Sequence, residues 1–220
     1  MGIPDDIRTK GIVLSVSPQG ESDRRLIFLS SDFGKITVFA NGARRPKSHL
    51  AAASRAFTMG DYTVRQGRTA YSLISADIAE TFDGLSVDMD KFCYASYMCE
   101  LAGYYTHENV NARDELNLLY VSFKYLLTEN VDPVYAKAAF ELRIQAMEGE
   151  SYFAYVKDRG KYPESILNIL HFIDTAPLTK LYGLIPSDEE KREIIGIADS
   201  SIRKNTDRKF KSLEILDTLY

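Results

Sequence analysis

The sequence predicts an α+β fold, a β-rich N-terminal portion followed by an all-helical domain. Three observations predict it. Apolar residues come in short runs, some at period two, through about residue 80; the period turns helical from about Asp83; and no second break of similar strength follows. With 220 residues the chain can bury one large core or two small ones, and the change of period divides it at 1–80 and 81–220.

Ile12, Leu14 and Val16 alternate with Val13, Ser15 and Ser17, the pattern of a half-buried strand, and Ser17-Pro18-Gln19-Gly20 is read as its end. Leu26–Leu29 is a second strand, followed by Ser30-Ser31-Asp32-Phe33-Gly34, which suits a hairpin turn. Ile36–Ala40 is a third, stopped by Asn41-Gly42. A polar, basic connection from Ala43 to Ser48 leads into a short helix-compatible piece, Leu50–Ala53. Phe57–Val64 and Tyr71–Ile78 read as the fourth and fifth strands, joined around Gln66-Gly67-Arg68. Five short strands with a helical insertion between the third and fourth fit a five-stranded OB barrel, and the count also fits an SH3-like barrel.

Amphipathic helices are expected over Asp88–Tyr105 and Asp114–Thr128. Asp132-Pro133 is a helix start, Asp as N-cap and Pro at the first position, with the helix running to Gly149. Pro163 opens another helix; Ser187-Asp188-Glu189-Glu190 reads as a capping box; Leu213–Leu219 closes the chain.

No apolar run approaches the roughly 20 residues that cross a bilayer. Met1–Lys10 carries Asp5, Asp6, Arg8 and Lys10 and no apolar signal core, so a cytoplasmic protein without membrane partners is expected. Cys93 and Cys99 lie six apart on a helix, on divergent faces, and read as buried thiols rather than a disulfide or metal pair. The net charge of −4 hides an asymmetry. Residues 1–80 hold eleven Lys/Arg against eight Asp/Glu, a net of +3, and residues 81–220 hold sixteen against twenty-three, a net of −7.

The chain has no phosphate-binding G-x-x-x-x-G-K-[ST], no H-E-x-x-H, no C-x-x-C and no G-x-S-x-G, so neither enzymatic activity nor a cofactor is expected. Binding chemistry is better represented. Arg44, Arg45 and Lys47 follow a strand end beside Gly42 and Pro46, either as a solvated basic loop or as phosphate contacts. Arg24 and Arg25 are adjacent on a strand and point to opposite faces, so one can face a nucleic acid while the other pairs with Asp23, Glu21 or another acid. Arg8, Lys10 and Lys35 are single candidates. Among the barrel aromatics, Phe33 in the hairpin turn is the foremost candidate for an exposed ring that stacks on bases, and packing is the preferred reading even there. Arg203, Lys204, Arg208, Lys209 and Lys211 form a second basic cluster, suited equally to a helix end and to an auxiliary DNA contact.

Gly11-Ile12-Val13-Leu14, Gly20-Glu21-Ser22-Asp23-Arg24, Phe33-Gly34-Lys35 and Asn41-Gly42-Ala43-Arg44-Arg45-Pro46-Lys47-Ser48 resemble, in order and spacing, the N-terminal region of RecO proteins. Ala56-Phe57-Thr58, Phe140-Glu141-Leu142-Arg143 and Lys211-Ser212-Leu213 extend the resemblance over nearly the whole chain. It implies an OB barrel and a non-enzymatic recombination mediator in DNA repair, cytoplasmic and nucleoid-associated. Such a protein binds single- and double-stranded DNA, anneals complementary strands and, with RecR, assists RecA loading on strands coated by single-strand-binding protein. An adaptor whose barrel binds protein is the alternative, and a nuclease a weaker one. Many family members carry a four-cysteine zinc finger after the central helix; here Ser151–Pro163 contains neither Cys nor His. The resemblance also implies docking of the acidic, Phe-ending tail of single-strand-binding protein. Phe140 and Ile144 (with Met147) at helical spacing, flanked by Lys137 and Arg143, are the residues expected to receive it.

Overall fold

A computed structural model describes residues 6–158 and 160–218. The chain divides into two compact units: one takes the chain through Ser86 together with Thr106–Leu116, the other takes Val87–Tyr105 and the chain from Asn117 onward. The division is therefore discontinuous in sequence. Thr106–Leu116 folds with the strands although it follows the first long helix.

In the first unit, β1 (Asp6–Gln19), β2 (Asp23–Ser30), β3 (Gly34–Ala40), β4 (Met59–Gln66) and β5 (Tyr71–Glu80) close into a barrel in the order β1-β2-β3-β5-β4. β3 and β5 pair parallel, and every other pairing is antiparallel. This is the topology of the OB barrel. Its interior holds Val13, Leu26, Phe28, Ile36, Val38, Tyr62, Val64 and Leu73. The Phe28 and Tyr62 rings meet edge to face at 4.6 Å, and each large ring taken fully from water contributes about 2–3 kcal/mol.

β1 departs from the alternation read in its sequence. Ile12, Val13 and Leu14 are all buried, and the pairing with β2 shifts register between Val13 and Ser15. The bulge places one extra residue in β1, so Val13 and Val16, rather than two residues of like parity, face the barrel core. The strand also continues through Ser17-Pro18-Gln19. Proline is tolerated because pairing with β4 ends at Ile12, leaving Pro18 on a stretch paired with β2 alone.

The β3–β4 connection contains no helix: Leu50–Ala53 is a succession of turns, with Ala51 and Arg55 amides bonded three residues back and Ser54 four back. It still plugs the barrel end, since Ala43, Leu50 and Ala53 join the core. The buried Tyr62 hydroxyl holds the plug by donating to the carbonyls of Ala53 at 2.9 Å and Thr58 at 3.1 Å. Gly34 opens β3 at φ +66°, where the His107 carbonyl lies 2.0 Å from where a Cβ would sit. Only glycine allows that approach, and through it the returning segment hydrogen-bonds the hairpin: Lys35 N–H to the His107 carbonyl, Asn109 N–H to Phe33 and Ala112 N–H to Ser31.

The second unit contains α1 (Met89–Tyr105), most of α2 (Arg113–Leu126), α3 (Pro133–Met147), α4 (Tyr152–Val156), α5 (Glu164–Thr175), α6 (Asp188–Asn205) and α7 (Lys211–Asp217). The caps form as their sequences require. Asp132 accepts from the amides of Val134 and Tyr135 ahead of Pro133, and Ser187 and Glu190 make both bonds of a capping box. Cys93 and Cys99 are buried free thiols. The short α4 was not foreseen, and Leu219 lies outside the described residues. Among the described residues no helix is long and apolar enough to cross a membrane.

α3 is surrounded by α1, α5 and α6 and buries residues on every side, Tyr135, Ala136, Ala139, Phe140, Leu142 and Ile144 among them. This corrects the expectation that α3 offers a docking stripe. Phe140 and Ile144 are 0% exposed, and Arg143 donates to the carbonyls of Ile173 and Asp174. Lys137 is held between Glu141 at 3.1 Å and Asp199 at 2.7 Å. A helix buried on every side is a core helix: the apolar spacing read as a stripe is packed against its neighbours, and its polar row, Lys137, Glu141 and Gln145, is buried as well.

Candidate nucleic-acid interface

The alternation of β2 and β3 turns Leu26, Phe28, Ile36, Val38 and Ala40 inward and leaves Arg25, Ile27, Lys35, Thr37 and Phe39 on the outer face. Register aligns these residues across the ladder, Arg25 opposite Phe39 and Ile27 opposite Thr37. Arg25, Ile27, Lys35 and Thr37 line a groove of about 390 Å³ with Thr69 from the β4–β5 loop and with His107 and Glu108 from the returning segment. A half-buried ring, two cations and hydroxyls on this face can meet base, phosphate and sugar in turn.

The basic loop lies at the end of the same ladder, which closes with Arg24 opposite Ala40. It is built rather than loose. The Asp23 carboxylate accepts from the Gly42 amide at 2.7 Å and from the Ser22 hydroxyl at 3.1 Å. These bonds, with the nearby Arg45 charge, hold the Asp23 carboxyl below its ordinary range. The Arg44 amide donates to the Ser22 carbonyl at 2.9 Å, and its guanidinium reaches the Gly20 carbonyl at 3.3 Å. The loop is thus tied to the β1–β2 turn. Arg44, Arg45 and Lys47 are all exposed, Lys47 at φ 60°, a left-handed conformation uncommon for lysine. One loop and one sheet face therefore gather Arg25, Lys35, Arg44, Arg45 and Lys47.

Four other candidates are placed differently. Arg24 is half-buried, and its guanidinium donates to the Ala51 carbonyl at 2.9 Å, the Ser54 carbonyl at 3.3 Å and the Ser54 hydroxyl at 2.9 Å. Its partners are carbonyls of the β3–β4 plug, not the acid expected from sequence. Arg24→Ala should therefore destabilise the protein by about 1.5–3 kcal/mol in urea unfolding, and Arg24→Lys should not restore it, because an ammonium does not reproduce the fork. Arg8 and Lys10 lie beyond the β1–β2 ladder, on the stretch of β1 paired with β4. There Lys10 faces Asp61 across the ladder and Arg8 pairs with the same carboxylate at 3.9 Å. Phe33 is half-buried, packed on the core with its ring 6.4 Å from that of Tyr71.

Arg68 was missed, and Phe39, one of the barrel aromatics considered for base stacking, was not set apart from the core rings. Phe39 is out of phase with Ile36, Val38 and Ala40, a parity that marks it as outward-facing from the sequence alone. Arg68 is exposed in the β4–β5 loop, a loop that frames ligand sites on this barrel type.

The C-terminal basic cluster divides. Arg203, Arg208 and Lys209 line a groove of about 800 Å³ whose apolar part includes Tyr94, Val134, Ile202, Phe210 and Leu213. Lys204 lines a different cavity, with Tyr152, Tyr155 and Lys161. Among the described residues no group of three His, Cys, Asp or Glu side chains could hold a metal ion.

A closed barrel with a cationic, partly aromatic outer face belongs to the OB class, and residues 3–82 match the family model described as Recombination protein O N terminal. Similarity extends along the chain. It is 25% identical to the DNA repair protein RecO of Acetivibrio thermocellus over 97% of both chains, and 28% identical to that of Clostridium perfringens strain 13 over 96% of this chain and 97% of the relative. With the RecO of Caldicellulosiruptor bescii, identity is 36% over 65% of this chain and 58% of the relative. Residues 3–82 belong to the RecO N-terminal family, and similarity to DNA repair proteins named RecO runs along nearly the whole chain.

Proposed function

We propose that this protein is a DNA-binding recombination mediator and not an enzyme. The observation that carries the reading is the outer face of β2 and β3, where Arg25, Lys35 and Phe39 continue into the anchored loop of Arg44, Arg45 and Lys47. It binds single- and double-stranded DNA there through phosphate neutralisation, with sequence left to base pairing. Two strands held on cations repel each other less, so complementary strands anneal faster. RecA loading follows from delivering such strands, with RecR, on DNA coated by single-strand-binding protein at the nucleoid.

The acidic tail of that coating protein docks in the groove of Arg203, Arg208 and Lys209 rather than on α3. The groove combines Arg203, Arg208 and Lys209 for carboxylates with apolar side chains for a terminal ring, and Asp199, Asp207 and Glu214 in the same lining restrict where an acidic tail can lie. Lys137 reaches its floor, but its ammonium already lies between two carboxylates.

Oligonucleotide binding measured across a salt series tests the reading. Binding should be tight at low salt and fall steeply as salt rises, and labelled DNA incubated with the protein and magnesium should remain intact. No binding at low salt would make the barrel a protein-binding adaptor, and cleavage would make the protein a nuclease.

A further inference from the structure

α4, the chain after it and α6 enclose two adjoining cavities that share Tyr152, Lys161 and Ser200. Their volumes are about 480 and 260 Å³. Tyr155 and Lys204 line the first, and Tyr162 and Arg192 line the second. Together they form one groove with three tyrosine rings and three cations. The Tyr152 and Tyr162 hydroxyls meet at 3.0 Å, and the rings of Tyr152 and Tyr155 lie 6.1 Å apart, so the aromatic side is a connected set.

Each end of the groove carries the same pair. The Lys204 ammonium rests 4.8 Å from the centre of the Tyr155 ring, and the Lys161 ammonium 4.7 Å from that of Tyr162. Lys161, Lys204 and Tyr155 are exposed; Lys161 also hydrogen-bonds the Tyr162 and Tyr152 hydroxyls, and exposed contacts of both kinds are weak enough to be exchanged. A phosphate would draw the lysine off the ring, and the uncovered face would then accept a base. The acids that line the groove, Glu150 and Glu193, do not close it: Glu150 accepts a hydrogen bond from the Tyr105 hydroxyl, and Glu193 is exposed beside Arg192.

Gly196 supplies an independent observation. It sits mid-helix in α6, where glycine is less stable than alanine, yet no packed neighbour requires it: a Cβ there would meet nothing within 4 Å. With Ser200 one turn on, it leaves the groove floor open.

We infer that this groove is a second nucleic-acid site that holds an unpaired strand, stacking bases on Tyr155 and Tyr162 and placing phosphates on Lys161 and Lys204. Stacking on tyrosine requires bases without partners, so duplex DNA does not enter. The inference rests on the DNA-binding reading but not on the barrel face.

The test is photocrosslinking of a halogenated oligothymidylate to the full chain at low salt, with crosslinked peptides mapped by mass spectrometry. Crosslinks are expected at Tyr152, Tyr155 or Tyr162 as well as on the barrel. Gly196→Leu fills the second cavity without removing a contact and should abolish the Tyr162 crosslinks while leaving those of the barrel. Gly196→Ala should retain both. Tyr155→Ala should weaken oligothymidylate binding about tenfold, the loss of one stacked base, when Arg44, Arg45 and Lys47 are also alanine. Barrel crosslinks alone, or Tyr162 crosslinks that survive Gly196→Leu, overturn this site and leave the barrel reading standing. Absence of any crosslink or binding overturns both. Displacement of the strand from the tyrosines by an acidic peptide, with no displacement by competing single strands, would assign the groove to a protein partner.

Discussion

Replacing Arg44, Arg45 and Lys47 together with alanine should flatten the dependence of single-strand affinity on salt by about two logarithmic units, since each phosphate contact contributes about 0.7. Because that contribution vanishes near 1 M salt, the same change lowers affinity at 0.1 M by about a hundredfold. The loss should be uniform across unrelated sequences, as phosphate contacts carry no base information. Folding should survive: all three side chains are exposed, and the loop is anchored by main-chain bonds from Gly42 to Asp23 and from Arg44 to Ser22. An unchanged slope would move the principal site to the cations of the second unit.

The largest effect on stability is expected at α3. Lys137→Met should destabilise the protein by about 3–5 kcal/mol at neutral pH, because it leaves the fully buried Glu141 without its cation. In the native protein burial pushes the Glu141 carboxyl above its ordinary range, opposed by Lys137 and by the Tyr97 hydroxyl, which donates at 2.5 Å. Burial alone would lower Lys137; Glu141 and Asp199 outweigh it and keep the ammonium charged. Without Lys137, Glu141 is raised further. A carboxyl whose folded value exceeds its ordinary 4.5 favours folding while protonated and loses that advantage as pH rises. The variant should therefore approach wild-type stability near pH 4.5 and fall behind above it. Adding Glu141→Leu should recover most of the loss at pH 7, since removing both charges spares their desolvation. Urea midpoints across pH report both results; a Lys137→Met variant of undiminished stability at neutral pH would show that Glu141 does not depend on this ion pair.

Much of the architecture was legible because its causes are local. The five strands followed from the period of their apolar residues, and the starts of α3 and α6 from Asp132-Pro133 and Ser187–Glu190, where every group that makes the cap lies within a few residues. The exposed basic loop was legible for the same reason: it follows a strand end and contains no apolar residue larger than Ala43 and Pro46. Phe39, a candidate among the barrel aromatics, could have been set apart from the core by its parity.

What the sequence by itself determined about this protein is the order and kind of its elements, its charge asymmetry and the residues able to meet a polyanion. Only the tertiary structure decided which of those residues are spent elsewhere. Arg24 and Arg25 are identical as neighbours on a strand, but the β3–β4 plug presents carbonyls to one and not to the other. Arg8 is paired with Asp61, more than fifty positions away, through the ladder that closes the barrel. The bulge after Val13 shifts which face β1 turns to the core. On α3 the apolar spacing was visible, but its burial on every side comes from three helices distant in sequence. A side chain's chemistry and local period are set by its own identity and near neighbours. Its partner is set by which distant backbone the closed barrel or the packed helices bring within hydrogen-bonding reach, where desolvation makes an unpaired charge too costly to leave.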